Sequence, residues 1–462
     1  MDQQIFTKKS LIPFPVETVF QWHTKPGAMQ RMVPHWDHIK ILDQHGTIEQ
    51  GAWKLLEMRA GPLPIKWLAE HTEYQQNRLF RDQQKKGPFN RFVHTHNFEQ
   101  QGESSCTLED RIEFRLPGPQ ISLLNQYIEA QLAQTFHFRH QTLLADLAQH
   151  NLFTGPPMTI LVSGASGILG SRLVPFLRTG GHRVLSLVRR PAKQGFDQVF
   201  WDPLKGILDH KDLGGLDAVI HLAGENIGQG RWTSEKKKTI MQSRTMGTDL
   251  LATTMARLAP QPKVFLSASA IGYYGHRPEE ILNEDSLPGQ DFISQVCEAW
   301  EKAAQPAMDA GIRTVFLRIG VALTPAGGAL QRLLLPCRLG LGGKLGSGRQ
   351  YVSWMDIDDV IRAVHHCLIS PQLAGPVNLT APLAVTNSEL SANLAQVLGR
   401  PNLCQVPEWL IRLAFGEMAK EIPLASTQVI PKKLMEAGFS FNQPNLIKAL
   451  KFLIGRVEPK NL

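Results

Sequence analysis

The sequence predicts an α/β protein: a doubly wound parallel sheet, preceded by an α+β unit and followed by a small helical unit. Three observations lead there. Between residues 158 and 400 short apolar runs alternate with stretches of helical spacing, the pattern of βαβ units. Before residue 154 period-2 alternation dominates and then gives way to one long helical stretch. Chain breakers mark the boundaries, at Thr154-Gly155-Pro156-Pro157 and at Gly399-Arg400-Pro401-Asn402. The expected units are 1–153, 158–400 and 401–462.

In the first unit the clearest strand is 105–116, where Cys106, Leu108, Ile112, Phe114 and Leu116 share one face. Asp110 falls on that apolar face and breaks the rule. Residues 89–99 behave similarly, with Phe92, His94, His96 and Phe98 on one side. From 120 to 149 the spacing turns helical, with Leu124, Ile128, Leu132, Phe136, Leu143 and Leu147 near one stripe. A bent antiparallel sheet wrapped around one long helix satisfies this pattern. His94, His96 and Asp110 read first as satisfied polar groups of the core or rim, then as lining for a ligand pocket, and last as a metal site. No metal-binding residue is assigned.

In the second unit the strand candidates are 159–163, 183–188, 217–222, 263–267 and 313–318. They are almost wholly apolar, as strands buried on both faces must be. Directly after the first comes Gly164-Ala165-Ser166-Gly167-Ile168-Leu169-Gly170, directly before a helical pattern. Glycines here permit a tight turn, a close approach of backbone to a pyrophosphate, and close packing of helix on strand. The helix N-terminus supplies N–H groups and a dipole for the anion. That context marks a Rossmann-type dinucleotide site. The end of the second strand carries Arg189 and Arg190 where an NAD site has an acidic residue. A guanidinium suits a 2′-phosphate, so NADP(H) is expected over NAD(H).

Composition excludes several classes. Hydrophobic residues at 43% allow sizeable cores, and the net charge of +8 favours anionic ligands without calling for nucleic acid. The run Lys236-Lys237-Lys238 reads as a solvated helix face. Five dispersed cysteines without a CxxC pair argue against a disulfide framework and a zinc site. The N-terminus lacks the apolar segment of a signal peptide, and no run of about 18 apolar residues exists, so a cytoplasmic protein without a membrane span is expected.

Further motifs carry a family resemblance. The glycine turn, then His221-Leu222-Ala223-Gly224, then the run from Ser267 to Gly275 (SASAIGYYG), resemble the extended short-chain dehydrogenase/reductase group, the sugar epimerase/dehydratase superfamily. Trp201-Asp202-Pro203, Ser243-Arg244 and the stretch Gly346, Gly348, Gln350, Ser353, Trp354, Asp358, Asp359 resemble its "epimerase family" subgroup, as does the tail 406–450. The first unit more loosely resembles the helix-grip START/polyketide-cyclase fold, through Pro15, Phe20, Trp22, His23 and Pro26. The resemblance implies that Gly164, Ser166, Gly167, Ile168, Leu169 and Gly170 cradle the pyrophosphate. It implies Asp202 near the adenine, and Ala223 and Gly224 beneath the cofactor. Ser267 and Ser269 would sit by the nicotinamide, with Ser269 activating the substrate. Arg244 and Arg318 are further candidates for contacts.

One departure stands out. The superfamily moves protons with a Tyr-x-x-x-Lys pair, but here the matching stretch 291–301 reads DFISQVCEAWE. Ser269 and Tyr274 are the replacements the sequence offers for catalysis, with Tyr273, Cys297 and Glu298 also titratable nearby. His365 and His366 read as structural, and Trp354 with Asp356, Asp358 and Asp359 as closing a substrate pocket or as plain structure. Two functions follow. One is an NADP(H)-dependent oxidoreductase or epimerase of a small molecule. The other is a non-catalytic, cofactor-dependent binding or regulatory protein whose first unit holds a hydrophobic ligand. In a third arrangement the two halves act in sequence on one hydrophobic substrate.

Overall fold

The computed structural model describes residues 3–60, 63–118, 122–192, 197–209 and 213–456. The chain forms two compact units. One comprises Met1–Thr154 with Arg178–Gly181 and the residues from Phe452 onward; the other comprises Gly155–Leu177 and His182–Lys451.

The first unit begins with β1 (Gln4–Ile12), α1 (Val16–Thr24) and α2 (Ala28–Met32). Six strands follow: β2 (Lys40–His45), β3 (Trp53–Ala60), β4 (Leu63–Gln75), β5 (Leu79–Lys86), β6 (Arg91–Gln100) and β7 (Cys106–Arg115). The long α3 (Ser122–His150) comes last. All seven strands make one antiparallel sheet in the order β1-β7-β6-β5-β4-β3-β2. Irregular register in β2 and β4 bends it. Ile12, Val19, Phe20, Trp22, Phe98, Leu108 and Leu143 form its core. The expected helix starts at Ser122, and residue 120 lies outside the described residues. The expected stripe is only half realised: Phe136, Leu143 and Leu147 are buried, whereas Leu124 is exposed. Period alone does not tell how far a long helix stays in contact with its sheet.

The second unit runs β8 (Thr159–Ser163), α4 (Gly170–Thr179), β9 (Arg183–Val188), β10 (Gln198–Asp202), β11 (Ile207–Leu208), β12 (Ala218–His221), α5 (Ser234–Arg257) and β13 (Val264–Ala270). It continues through β14 (Arg277–Leu282), α6 (Phe292–Lys302), α7 (Gln305–Asp309) and β15 (Arg313–Ile319). The main sheet has the order β11-β10-β9-β8-β12-β13-β15 and ends on the strand Gly375–Leu379. All its pairings are parallel except β10–β11. Strands β10 and Gly375–Leu379 were not among the candidates, because their short runs mix polar and breaker residues with apolar ones. The strand order reverses between β8 and β12, and a crevice at the carboxyl ends of these strands is where such folds bind ligands.

Residues beyond 400 are not purely helical. Cys404–Val406 pairs with Gly343–Leu345, and Thr427–Val429 pairs with β14. Residues 401–451 therefore fall in the same unit as the parallel sheet. The Gly-x-Gly-x-Gln…Ser-Trp…Asp-Asp stretch explains this stitching. Ser353 Oγ donates to Thr427 O and accepts from Val429 N, both at 2.8 Å. Gln350 donates to Leu345 O and Pro423 O. Asp356 caps the helix Ile357–Ile369, and Asp359 accepts from the backbone N–H groups of Asn442 and Gln443. Trp354 is buried. Asp356 Oδ1 and the Asp359 carboxylate accept from backbone N–H groups and the Trp354 ring sits in the core, which favours the plain structural reading of these residues over the pocket-closing one. Pro431 and Gly438 flank the helix Lys432–Glu436. No helix among the described residues is long and apolar enough to cross a membrane.

Candidate active site

The turn after β8 is built for close contact. Gly164 has φ +69°, and a Cβ there would lie 2.9 Å from Ala223 N and Leu222 C. A Cβ on Gly170 would overlap the Gly164 carbonyl oxygen and the Ala165 backbone. Both positions therefore exclude any side chain. Ser166, Gly167 and Ile168 are exposed at the tip, and Gly170 opens α4. The turn is pinned from behind: Ser163 Oγ lies 2.6 Å from His221 Nδ1 and accepts from the Leu222 and Ala223 N–H groups. Burial pulls the His221 imidazole down to about 3, and the nearby Arg244 charge acts the same way. His221 is thus a neutral structural group. Gly224 packs on Arg244, with a Cβ position 3.3 Å from Cζ. Arg244 donates to Ile240 O and Glu225 O and lies over the Trp300 ring. It supports the floor of the crevice. Arg189 is exposed at the end of β9, and Asp202 ends β10, partly exposed and 3.6 Å from Lys205 Nζ. The glycine cradle fits a dinucleotide pyrophosphate.

Deeper in the unit, register assembles a second feature. Ser269 on β13 stands opposite Arg318 on β15, which stands opposite Asn378 on the next strand. Glu301, from α6, joins them. Ser269 Oγ donates to Glu301 Oε1 at 2.7 Å. Arg318 grips the same carboxylate with Nε on Oε1 at 2.8 Å and Nη2 on Oε2 at 2.9 Å. Arg318 Nη1 also donates to Tyr274 Oη at 3.1 Å, and Tyr274 donates to Asn378 Oδ1 at 2.7 Å. Burial opposes the Arg318 charge, yet hydrogen bonds and charge from Glu301 hold it above the usual arginine range. The Arg318 guanidinium also lies 3.5 Å from the Tyr273 ring centroid.

The structure buries two of the expected site residues. Tyr274 is fully buried and doubly hydrogen-bonded, and burial pushes its hydroxyl up to about 12. It bridges Arg318 and Asn378. Ser267 is likewise fully buried, its hydroxyl turned to Ala268 O in its own strand. Ser269, at 3% exposure, keeps only a narrow opening. Cys297 is buried, and burial pushes its thiol up to about 12, while Glu298 lies on the exposed face of α6. Sequence reasoning missed Glu301, a charged helix residue with nothing to set it apart from a solvated one. Of the other constellations, Lys236 and Lys237 pair with Glu225 and Glu417 at the surface. His365 and His366 are both buried in their helix.

Comparison with known proteins agrees with this geometry. Residues 160–379 match the NAD dependent epimerase/dehydratase family, residues 12–136 the family of polyketide cyclase/dehydrase and lipid transport, and residues 406–453 a domain of unknown function. An epimerase family protein of Mycobacterium bovis is 39% identical over 297 residues, covering 64% of this chain and 98% of that protein. The crystal structure of a nucleoside-diphosphate sugar epimerase from Corynebacterium glutamicum is similar over 97% of this chain and 90% of that one, at 32% identity and a TM-score of 0.81. The human epimerase family protein SDR39U1 (isoform 2), crystallised with NADPH, aligns with 65% of this chain and all of its own at 33% identity and a TM-score of 0.61. The chain belongs to the epimerase family, as an atypical, NAD(P)-dependent epimerase-like short-chain dehydrogenase/reductase with an N-terminal helix-grip unit.

Proposed function

We propose that this chain is a cytoplasmic NADP(H)-dependent oxidoreductase or epimerase acting on a small molecule, with Ser269 meeting the reacting oxygen and Glu301 behind it as proton acceptor. The observation that carries this reading is the 2.7 Å bond from Ser269 to a carboxylate clamped by Arg318. It offers a proton route in a chain that lacks the Tyr-x-x-x-Lys pair. A substrate hydroxyl would give its proton to Ser269 Oγ as Ser269 gives its own to Glu301, and the reverse path would serve reduction of a carbonyl. The nicotinamide, when bound, supplies hydride transfer.

In this reading Gly164, Ser166, Gly167, Ile168, Leu169 and Gly170 hold the pyrophosphate, Ala223 and Gly224 lie beneath it, Asp202 flanks the adenine, and Arg244 supports the floor. Arg189 favours the 2′-phosphate, and the NADPH bound by the human relative supports that preference. The first unit would hold a hydrophobic ligand, in keeping with its match to lipid-transport and cyclase domains. The test adds a panel of carbonyl compounds to protein loaded with NADPH and follows absorbance of the reduced nicotinamide. Oxidation that Ser269→Ala abolishes is the expected result. Tight binding with no turnover across the panel would favour a cofactor-sensing protein instead.

A further inference from the structure

The core of the first unit holds an unusual concentration of imidazoles around one carboxylate. Asp110 Oδ1 lies 2.8 Å from His94 Nε2 and 2.6 Å from His96 Nδ1. Its Oδ2 lies 2.6 Å from His140 Nε2, whose Nδ1 is 2.7 Å from Ser10 Oγ. These residues come from four elements, with Asp110 on β7, His94 and His96 on β6, His140 on α3 and Ser10 on β1. The neighbouring strand adds Asp82, directly opposite His94, with Oδ1 3.6 Å from His94 Nδ1.

We infer that Asp82, His94 and His96 form a binding site for one divalent transition-metal ion of the zinc class, and that Asp110 positions its histidine ligands. The argument is one of donors and acceptors. A carboxylate only accepts, so the His94 nitrogen on Asp110 carries a proton, and the other ring nitrogen, Nδ1, faces Asp82. Among the described residues no donor hydrogen-bonds to the Asp82 carboxylate or to His94 Nδ1. One potential ligand atom from each of Asp82, His94 and His96 lies within 4.8 Å of the other two. Two ring nitrogens and a carboxylate oxygen converging on one point make a set of donors suited to a cation. Two imidazoles and a carboxylate suit zinc and its neighbours, and three protein ligands leave a position open for water or for the polar group of a ligand. A carboxylate on the far nitrogen of a ligating histidine is the usual means of fixing its tautomer and ring orientation. A further acceptor stands nearby. His23 bonds Val19 O through Nδ1, has a buried Nε2 without a partner, and packs 5.9 Å from the His96 ring.

The test uses the full-length protein, stripped with a chelator, dialysed and titrated with Zn²⁺ by calorimetry, with Co²⁺ as a spectroscopic stand-in. One equivalent bound, with Co²⁺ absorption typical of nitrogen and oxygen ligands, is expected. Asp82→Asn and His94→Gln should abolish it, and Asp110→Asn should weaken it about 10- to 100-fold. Binding that these variants leave unchanged would overturn the inference, because the ion would then sit elsewhere. Should a variant fail to fold, the wild-type Co²⁺ spectrum and imidazole NMR still decide. Metal-shifted His94 and His96 resonances support the site. A metal-indifferent His94 protonated on both nitrogens, bridging Asp82 and Asp110, refutes it.

Discussion

Asp110 in the sheet-and-helix unit and Glu301 in the parallel-sheet unit are both buried carboxylates at the centre of a polar network, but they are held by different partners. Asp110 is held by imidazoles. Burial alone would raise its carboxyl, yet the close His96 imidazole and hydrogen bonds from His140 and His94 keep it well below the usual carboxylate range. Glu301 is held by a guanidinium in a two-point grip, with a serine hydroxyl completing the set. Imidazoles lose neutrality in mild acid, whereas a guanidinium does not change charge. The first network can therefore respond to a cation. The second is a fixed electrostatic frame, suited to moving a proton through Ser269.

The sharpest way to break this comparison is to unclamp one carboxylate. Glu301→Ala leaves Arg318 buried and without its ion pair, and such losses cost about 3–5 kcal/mol. Denaturant unfolding of the second unit should show a loss of this size. A loss under about 1 kcal/mol would mean that solvent already screens the pair. Ser269→Ala leaves the clamp intact. It should lower turnover about 100-fold or more, as loss of a positioned proton-transfer group does, with little change in stability. Unchanged turnover would remove Ser269 from the chemistry.

Acid should separate the two units more gently. Burial pulls the His23 imidazole down to about 4 from 6.5. The unfolded chain then takes up this proton first as pH falls, so the stability tied to neutral His23 is complete above pH 6.5 and is lost progressively toward pH 4. The loss is about 1.4 kcal/mol per pH unit for one such group. Unfolding measured at pH 7 and pH 5 should show the first unit weakened and the Glu301–Arg318 frame unaffected. A first unit equally stable at both values would contradict the neutral-imidazole picture. At the small end, Tyr274→Phe removes a buried hydroxyl between Arg318 and Asn378, a change worth about 1–3 kcal/mol of stability. It should cost less turnover than Ser269→Ala, because Tyr274 acts only through Arg318.

The two networks also differ in how far the sequence reveals them. Asp110 announces itself by breaking a period-2 pattern, and His94 and His96 share a parity with Phe92 and Phe98, so one strand rule places three of the members. His140 and Ser10 add no such signal, and nor does Asp82 in the polar run of β5. The glycine turn is equally legible, since φ and close approach restrict those positions to glycine and the flanking strand and helix are local. The Glu301 network is not local. Ser269, Arg318 and Asn378 meet only because three parallel strands pair in a particular register. Glu301 reaches them from a helix whose other charged residues face solvent. The Trp354…Asp359 stretch is ambiguous in the sequence for a related reason: polar residues near a glycine-rich turn resemble a pocket rim until their backbone partners are known.

The most direct test of the account is a calorimetric titration of the wild type and Arg189→Asp with NADPH and with NADH. The account predicts tight NADPH binding by the wild type, with at least about tenfold preference over NADH, a difference of about 1.4 kcal/mol. It also predicts that Arg189→Asp shrinks or reverses that preference. No binding of either nucleotide, or a preference that the substitution leaves untouched, would contradict it.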